Sequence, residues 1–163
     1  LLNFLDIKKD NELFEKEILN ALDSSFLKHP PSIFPTAIKI LNSLKSRYSL
    51  CLTSNTGITS PNIYRKYLDE VGIFDKFDKL YLSNELLVSK PSFSIFKIIL
   101  DDFKLKPDEI VHIGDNLFTD IFGAKKCGFG TVFINKRNSV NNDLKIYPDY
   151  TVKDISKIPD LFL

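Results

Sequence analysis

The stretch Ile110-Val111-His112-Ile113-Gly114-Asp115-Asn116-Leu117-Phe118-Thr119-Asp120 changes character at its middle. Ile110 to Ile113 form a short, mostly apolar run and read as a buried strand. Gly114-Asp115-Asn116 end that strand. Residues from about Thr119 to Cys127 read as a helix that stops at Gly128. Two carboxylates therefore straddle a strand–helix junction. Asp115 lies at the strand end, where oxygen ligands can hold a hard cation such as Mg²⁺. Asp120 lies in the first helical turn and can orient a metal-bound water or a lysine. Each acid also has a plainer reading, Asp120 as a helix N-terminal acid that favours the dipole and Asp115 as a loop carboxylate. His112, inside an apolar strand, reads as a packed and hydrogen-bonded histidine.

The same alternation runs outward in both directions. Upstream, Ala37, Ile40, Leu41 and Leu44 mark an amphipathic helix, and Tyr48 to Thr53 reads as a buried strand ending in Ser54-Asn55-Thr56-Gly57. A helix follows from Asn62 to Val71, with Gly72 placed as its C′ residue. Lys79 to Leu82 is a short strand, and Phe96, Ile99, Leu100 and Phe103 line one helix face. Downstream, Thr131 to Ile134 is a strand, Asn138 to Pro148 a polar loop, and Tyr150 to Val152 an edge strand. At the other end, Asp10 is placed to cap a helix carrying Phe14, Ile18, Ala21 and Leu22. Pro30-Pro31 and Pro35 mark a hinge after it. Strands alternating with helices predict an α/β fold, with a mainly parallel sheet, Rossmann-like, and helices on both faces.

Composition limits the partners. The chain has 163 residues, 44% apolar and 26% charged, which suits one globular domain. A net charge of +1 leaves no electrostatic footprint for nucleic acid. No apolar run reaches the roughly 18 residues of a membrane span. The chain contains no Met and begins Leu1-Leu2-Asn3, so a fragment or processed product is expected. Cys51 and Cys127 lie far apart in apolar surroundings and are expected as reduced, buried thiols of a cytoplasmic protein.

In parallel sheets ligands bind at the carboxyl ends of strands, so the polar residues there matter most. Ser54-Asn55-Thr56-Gly57 offers a hydroxyl, backbone N–H groups and a glycine, which suit a phosphate oxygen or, equally, an ordinary turn. Lys90-Pro91 precedes a helix, and Lys90 is either a point charge for a bound anion or a solvated lysine. Two histidines, His29 and His112, support no Ser-His-Asp arrangement.

The order of these elements resembles the haloacid dehalogenase-like (HAD) hydrolase superfamily. The likeness lies in a strand ending Ser54-Asn55, a Lys90-Pro91 before a helix, and a strand ending Gly114-Asp115 with Asp120 following. It runs from about Phe34 onward. It divides the chain into residues 1–31, a partial helical cap segment, and 32–163, a HAD-like α/β core. The resemblance implies a phosphatase that uses Mg²⁺ on a small phosphorylated substrate, through an aspartyl-phosphate. By the same resemblance Ser54 and Asn55 would bind phosphate. Lys90 would balance charge, Asp115 would ligate the metal, and Asp120 would support Lys90 or the metal's water shell. Dehalogenases share the Ser-Asn strand but carry no acid where Asp115 stands. Response-regulator receiver domains place their acids first and their lysine last, the reverse of the order here.

One motif of the family does not appear. No strand ending in Asp-x-Asp, the source of its nucleophile and general acid, precedes Ser54. The nearest stand-in, Leu1 to Asp6, has Lys8 where the second acid belongs and reads instead as the end of a cap helix. In the family this strand lies between the one ending at Ser54 and the one ending at Gly114. The expectation is therefore that those two strands close up and pair, or that another segment fills the gap, including one from a second chain. Residues 1–163 are expected to be inactive alone. The alternative is a non-catalytic HAD-like binding module.

Overall fold

The computed structural model describes residues 12–136 and 145–163. Leu1 to Asp10, with the candidate cap Asp10 and the Asp6 stretch, and most of the polar loop after Asn138 lie outside them. Helix α1 (Glu12–Lys28) leads through the proline-rich segment to α2 (Ala37–Lys45) and strand β1 (Cys51–Ser54). Then come α3 (Pro61–Glu70), β2 (Lys79–Leu82), the short α4 (Ser83–Leu86), α5 (Phe93–Phe103) and β3 (Val111–Gly114). A π-helical turn, Leu117–Phe122, runs into α6 (Gly123–Lys126), followed by β4 (Gly130–Ile134), β5 (Tyr150–Val152) and α7 (Pro159–Phe162). Every strand pair is parallel, in the order β2–β1 and β3–β4–β5.

Helices cover both faces, as the alternation of adjacent side chains on β3 requires. The His112 ring meets Phe96 of α5 edge-on, with centroids 5.3 Å apart. Ile113 packs with Ile40 and Leu44 of α2, Val132 of β4 and Ile158 near the carboxyl end. On the first of these faces Ile95 and Phe96 of α5 meet Ala124, Cys127 and Phe129. Gly72 (φ +73°) and Gly128 (φ +81°) take the left-handed backbone at the ends of α3 and α6, where a side chain would be strained. The helical stretch after β3 starts at Leu117, two residues earlier than the expected Thr119. Asn116 explains this, since its Oδ1 accepts from the N–H groups of Phe118 (3.0 Å) and Thr119 (2.9 Å).

Helix α1 is held to the core by few contacts. Leu13 and Leu19 stay 69% and 52% exposed, and only the helix's carboxyl half docks. There Phe26 stacks edge-on to Tyr67 of α3. Asp23 accepts from the backbone N–H (2.9 Å) and hydroxyl (2.7 Å) of Ser60, and so caps α3 from another helix. Asp23→Ala is expected to cost about 1 kcal/mol, measured as a lower urea midpoint, with α3 losing hydrogen-exchange protection first.

β1 and β3 do not pair. Between them lies a cavity of about 460 Å³, lined by Leu50 to Thr53 on one side and His112 and Ile113 on the other. A second, smaller cavity opens beside the same two strands near Ile99, Phe103 and Phe162. The expected closing-up therefore does not occur. Helices α2, α3 and α5 already hold their strands apart through the three apolar clusters. No helix among the described residues is long and apolar enough to cross a membrane.

Candidate active site

At the carboxyl end of the sheet a cavity of about 290 Å³ is lined by Thr53, Lys90, Gly114, Asp115 and Asp120, with Phe34, Ile113, Ile134 and Lys136. β3 and β4 contribute their last residues and β1 its last but one, Thr53, as the carboxyl ends of a parallel sheet allow.

Lys90 and Asp120 form its centre. Lys90 Nζ lies 2.7 Å from Asp120 Oδ1, and the two side chains are only 11% and 7% exposed. The same ammonium donates to the Thr53 carbonyl at 2.8 Å. Asp120 Oδ2 accepts from the Asn116 backbone N–H at 3.0 Å, and His112 Nε2 stands 3.5 Å from Oδ1. Burial works against ionisation of Asp120. The hydrogen bond from His112 and the charge of Lys90 outweigh it and hold the carboxyl well below the usual carboxylate range.

Gly114 makes this geometry possible. A Cβ on Gly114 would overlap the Asp120 carboxylate, so only glycine lets that side chain lie across the end of β3. Gly123 serves similarly one turn later, where a Cβ would run into the Phe96 ring and Pro91. These two close approaches bring the Lys90 loop, β3 and the following helix into contact.

The residues expected from the sequence are distributed as follows. Lys90, Asp115 and Asp120 share the cavity. Asp115 is exposed at its mouth. Asn55 sits beside it with both amide groups engaged. Its Nδ2 donates to the Lys90 carbonyl (2.9 Å), and its Oδ1 accepts from the Lys90 N–H (3.0 Å). Asn55 thereby fixes the backbone from which Lys90 reaches inward. Ser54 is not part of the lining, and its neighbour Thr53 is; Ser54 Oγ accepts from Tyr64 Oη at 3.3 Å. Phe34, His112 and Lys136 were not legible as site residues. For Lys136 a signal existed, because it stands just past the end of β4, the kind of position that singled out Ser54 and Asp115.

A metal fits this site only in part. No group of three His, Cys, Asp or Glu that would hold an ion occurs among the described residues. Mg²⁺, however, commonly uses one or two carboxylates with waters and substrate phosphate. Exposed Asp115 offers one such ligand, while Asp120 is taken up by Lys90. The two cysteines are free; burial, with Asp78 nearby, pushes the Cys51 thiol up to about 11.

Comparison with known proteins agrees with this arrangement. A model of haloacid dehalogenase-like hydrolases matches residues 3–128. The chain is 31% identical over 128 residues to glyceraldehyde 3-phosphate phosphatase of Methanocaldococcus jannaschii, covering 78% of this chain and 55% of that protein. It is 36% identical over 86 residues to the enzyme of the same name from Pyrococcus furiosus, covering 52% of this chain and 36% of that one. The chain thus spans about half or less of these relatives. The crystal structure of a HAD phosphatase from Thermococcus onnurineus superposes with a TM-score of 0.71 at 22% identity, over 98% of this chain and 67% of that one. With the strand-end order, the Lys90–Asp120 pair and the family match in agreement, the chain belongs to the haloacid dehalogenase-like hydrolases.

Proposed function

We propose that this chain forms the core of a Mg²⁺-dependent phosphatase for a small phosphorylated metabolite in the cytoplasm. The observation that carries this reading is the convergence of Lys90, Asp115 and Asp120 on one cavity at the strand ends. Phosphoryl transfer needs positioning and charge neutralisation more than anything else. Lys90 brings a buried ammonium to the phosphoryl group, and Asp120 and the Thr53 carbonyl hold that ammonium in place. Asn55 sets the Lys90 backbone. Ser54, at the same strand end, is assigned a hydrogen bond to a phosphoryl oxygen. Asp115 would hold Mg²⁺, which supplies Lewis-acid neutralisation of phosphoryl charge. The similarity to glyceraldehyde 3-phosphate phosphatases supports a phosphate ester as substrate.

The nucleophile belongs to a strand that enters the slot between β1 and β3 and carries the Asp-x-Asp pair. That strand comes either from flanking sequence of the full protein or from a second chain. Residues 1–31 act as part of the cap and 32–163 as the core. The test is Mg²⁺-dependent hydrolysis of an aryl phosphate by residues 1–163 and by the protein as its gene encodes it. Turnover is expected from the full protein only, and Asp115→Asn should weaken its Mg²⁺ dependence about ten-fold or more. Inactivity of the full protein on a broad panel of phosphate esters, with no effect of Asp115→Asn, would overturn the reading.

The missing Asp-x-Asp motif favours one other reading, a binding module without turnover. That reading predicts phosphate binding but no hydrolysis by the full protein, and an Asp-x-Asp strand in the flanking sequence would remove its basis.

A further inference from the structure

The cavity at the strand ends contains a second ammonium that the reading above does not use. Lys136 stands just beyond β4 and lines the same space as Lys90 and Asp115. Its Nζ lies 3.8 Å from the centroid of the Phe34 ring. Phe34 belongs to the segment joining α1 to α2, so the ring reaches the cavity from outside the sheet. This contact differs in kind from the one Lys90 makes. Lys90 is matched by a carboxylate at 2.7 Å, which cancels most of its charge. A π face steadies a cation without neutralising it. Among the described residues Lys136 forms no ion pair, so it presents an oriented positive charge to the cavity.

The two cations also enter from different sides. Lys90 is tied to the end of β1 through the Thr53 carbonyl. Lys136 comes from the end of β4, on the far side of β3. A ligand bridging them needs two anionic ends, one at the Lys90–Asp115 side and one at Lys136. We propose that Lys136, seated on Phe34, binds a second anionic group of the substrate, a carboxylate or another phosphate, and so selects doubly anionic phosphate esters. This rests on the phosphatase reading for the identity of the first group, but the anion site itself is a binding property.

The test uses unreactive phosphonates, so that it does not depend on turnover. Binding of methylphosphonate, phosphonoacetate and methylenebisphosphonate to the full protein is measured by calorimetry at constant Mg²⁺. Phosphonoacetate, methylenebisphosphonate or both should bind about ten-fold more tightly than methylphosphonate, the scale of one charge-assisted contact. Which of the two is preferred tells carboxylate from phosphate. Lys136→Met should abolish the preference and leave methylphosphonate unchanged. Lys136→Arg should keep it, and Phe34→Leu, which leaves the charge but removes its seat, should reduce it. Equal binding of all three by the wild type, an unaltered preference in Lys136→Met, a uniform loss across the probes, or no binding of any probe would each overturn the proposal. Preference lost in Lys136→Met together with no hydrolysis of any ester would leave the anion site standing and remove the phosphatase reading. Hydrolysis with an unaltered preference would do the reverse.

Discussion

Asp120→Ala is expected to destabilise the fold by about 3–5 kcal/mol, read from the urea midpoint at neutral pH. The size follows from what remains behind. The Lys90 side chain is 11% exposed and has two acceptors, Asp120 Oδ1 at 2.7 Å and the Thr53 carbonyl at 2.8 Å. Removing the carboxylate strands a buried ammonium with one neutral partner. The Asn116 N–H loses its acceptor in the same step. Removing both charges in Lys90→Met/Asp120→Leu should recover much of the loss, because an apolar pair of similar volume carries no desolvation cost. If the double variant is as unstable as Asp120→Ala, the damage comes from packing and not from an unpaired charge. The pair also sets a pH dependence. The folded Asp120 carboxyl is held below its unfolded value of about 4. Its contribution is therefore complete above about pH 4 and is lost as pH falls through the depressed folded value. The gap between wild type and Asp120→Ala should be constant from pH 7 to about 5 and should narrow only in stronger acid.

Gly114→Ala should cost about 1–3 kcal/mol, the range for forcing an extra methyl into a packed site. The added Cβ would overlap the Asp120 side chain, and Asp120 cannot yield freely. Its two oxygens are held by Lys90, His112 and the Asn116 N–H. The methyl must therefore move either the carboxylate or the end of β3. In either case Asp115, the next residue, is displaced too. The variant should lose stability and, in the full protein, phosphate turnover together. A crystal structure of the variant with Lys90 and Asp120 unmoved would sink this account. As a control, Ala at Gly57 meets nothing within 4 Å but must adopt φ +60°, so its cost should be purely backbone strain.

Much of the arrangement was legible in the one-dimensional pattern. Helix α3 with Gly72, strand β2, helix α5 and the junction at Gly114 were all readable from apolar spacing and turn residues. Strand ends were readable as well, and with them Asp115; Lys90 was readable as the residue before a proline-led helix and Asp120 as an acid of the turn after β3. His112 was legible as a packed residue, and it is one, but its approach to Asp120 was not. The early start of the helical stretch at Leu117 was hidden because Asn116 acts as its cap, and caps do not show in hydrophobic periodicity. Asn55 was expected at the phosphate through the family resemblance; that its side-chain amide holds the Lys90 backbone shows only in the fold.

The chain's own pattern determined that strands would alternate with helices, that the sheet would be parallel, and which polar groups would stand at its carboxyl edge. Those properties depend on local periodicity and on the handedness of crossovers, both of which are carried by neighbouring residues. Which of those groups would meet was decided only by tertiary packing. Residues thirty positions apart, Lys90 and Asp120, are joined because Gly114 and Gly123 admit close approach. Lys136 meets Phe34 across about a hundred positions of chain. The slot between β1 and β3 likewise belongs to the tertiary packing, since each strand is held by helices on the two faces and no backbone pairing crosses it.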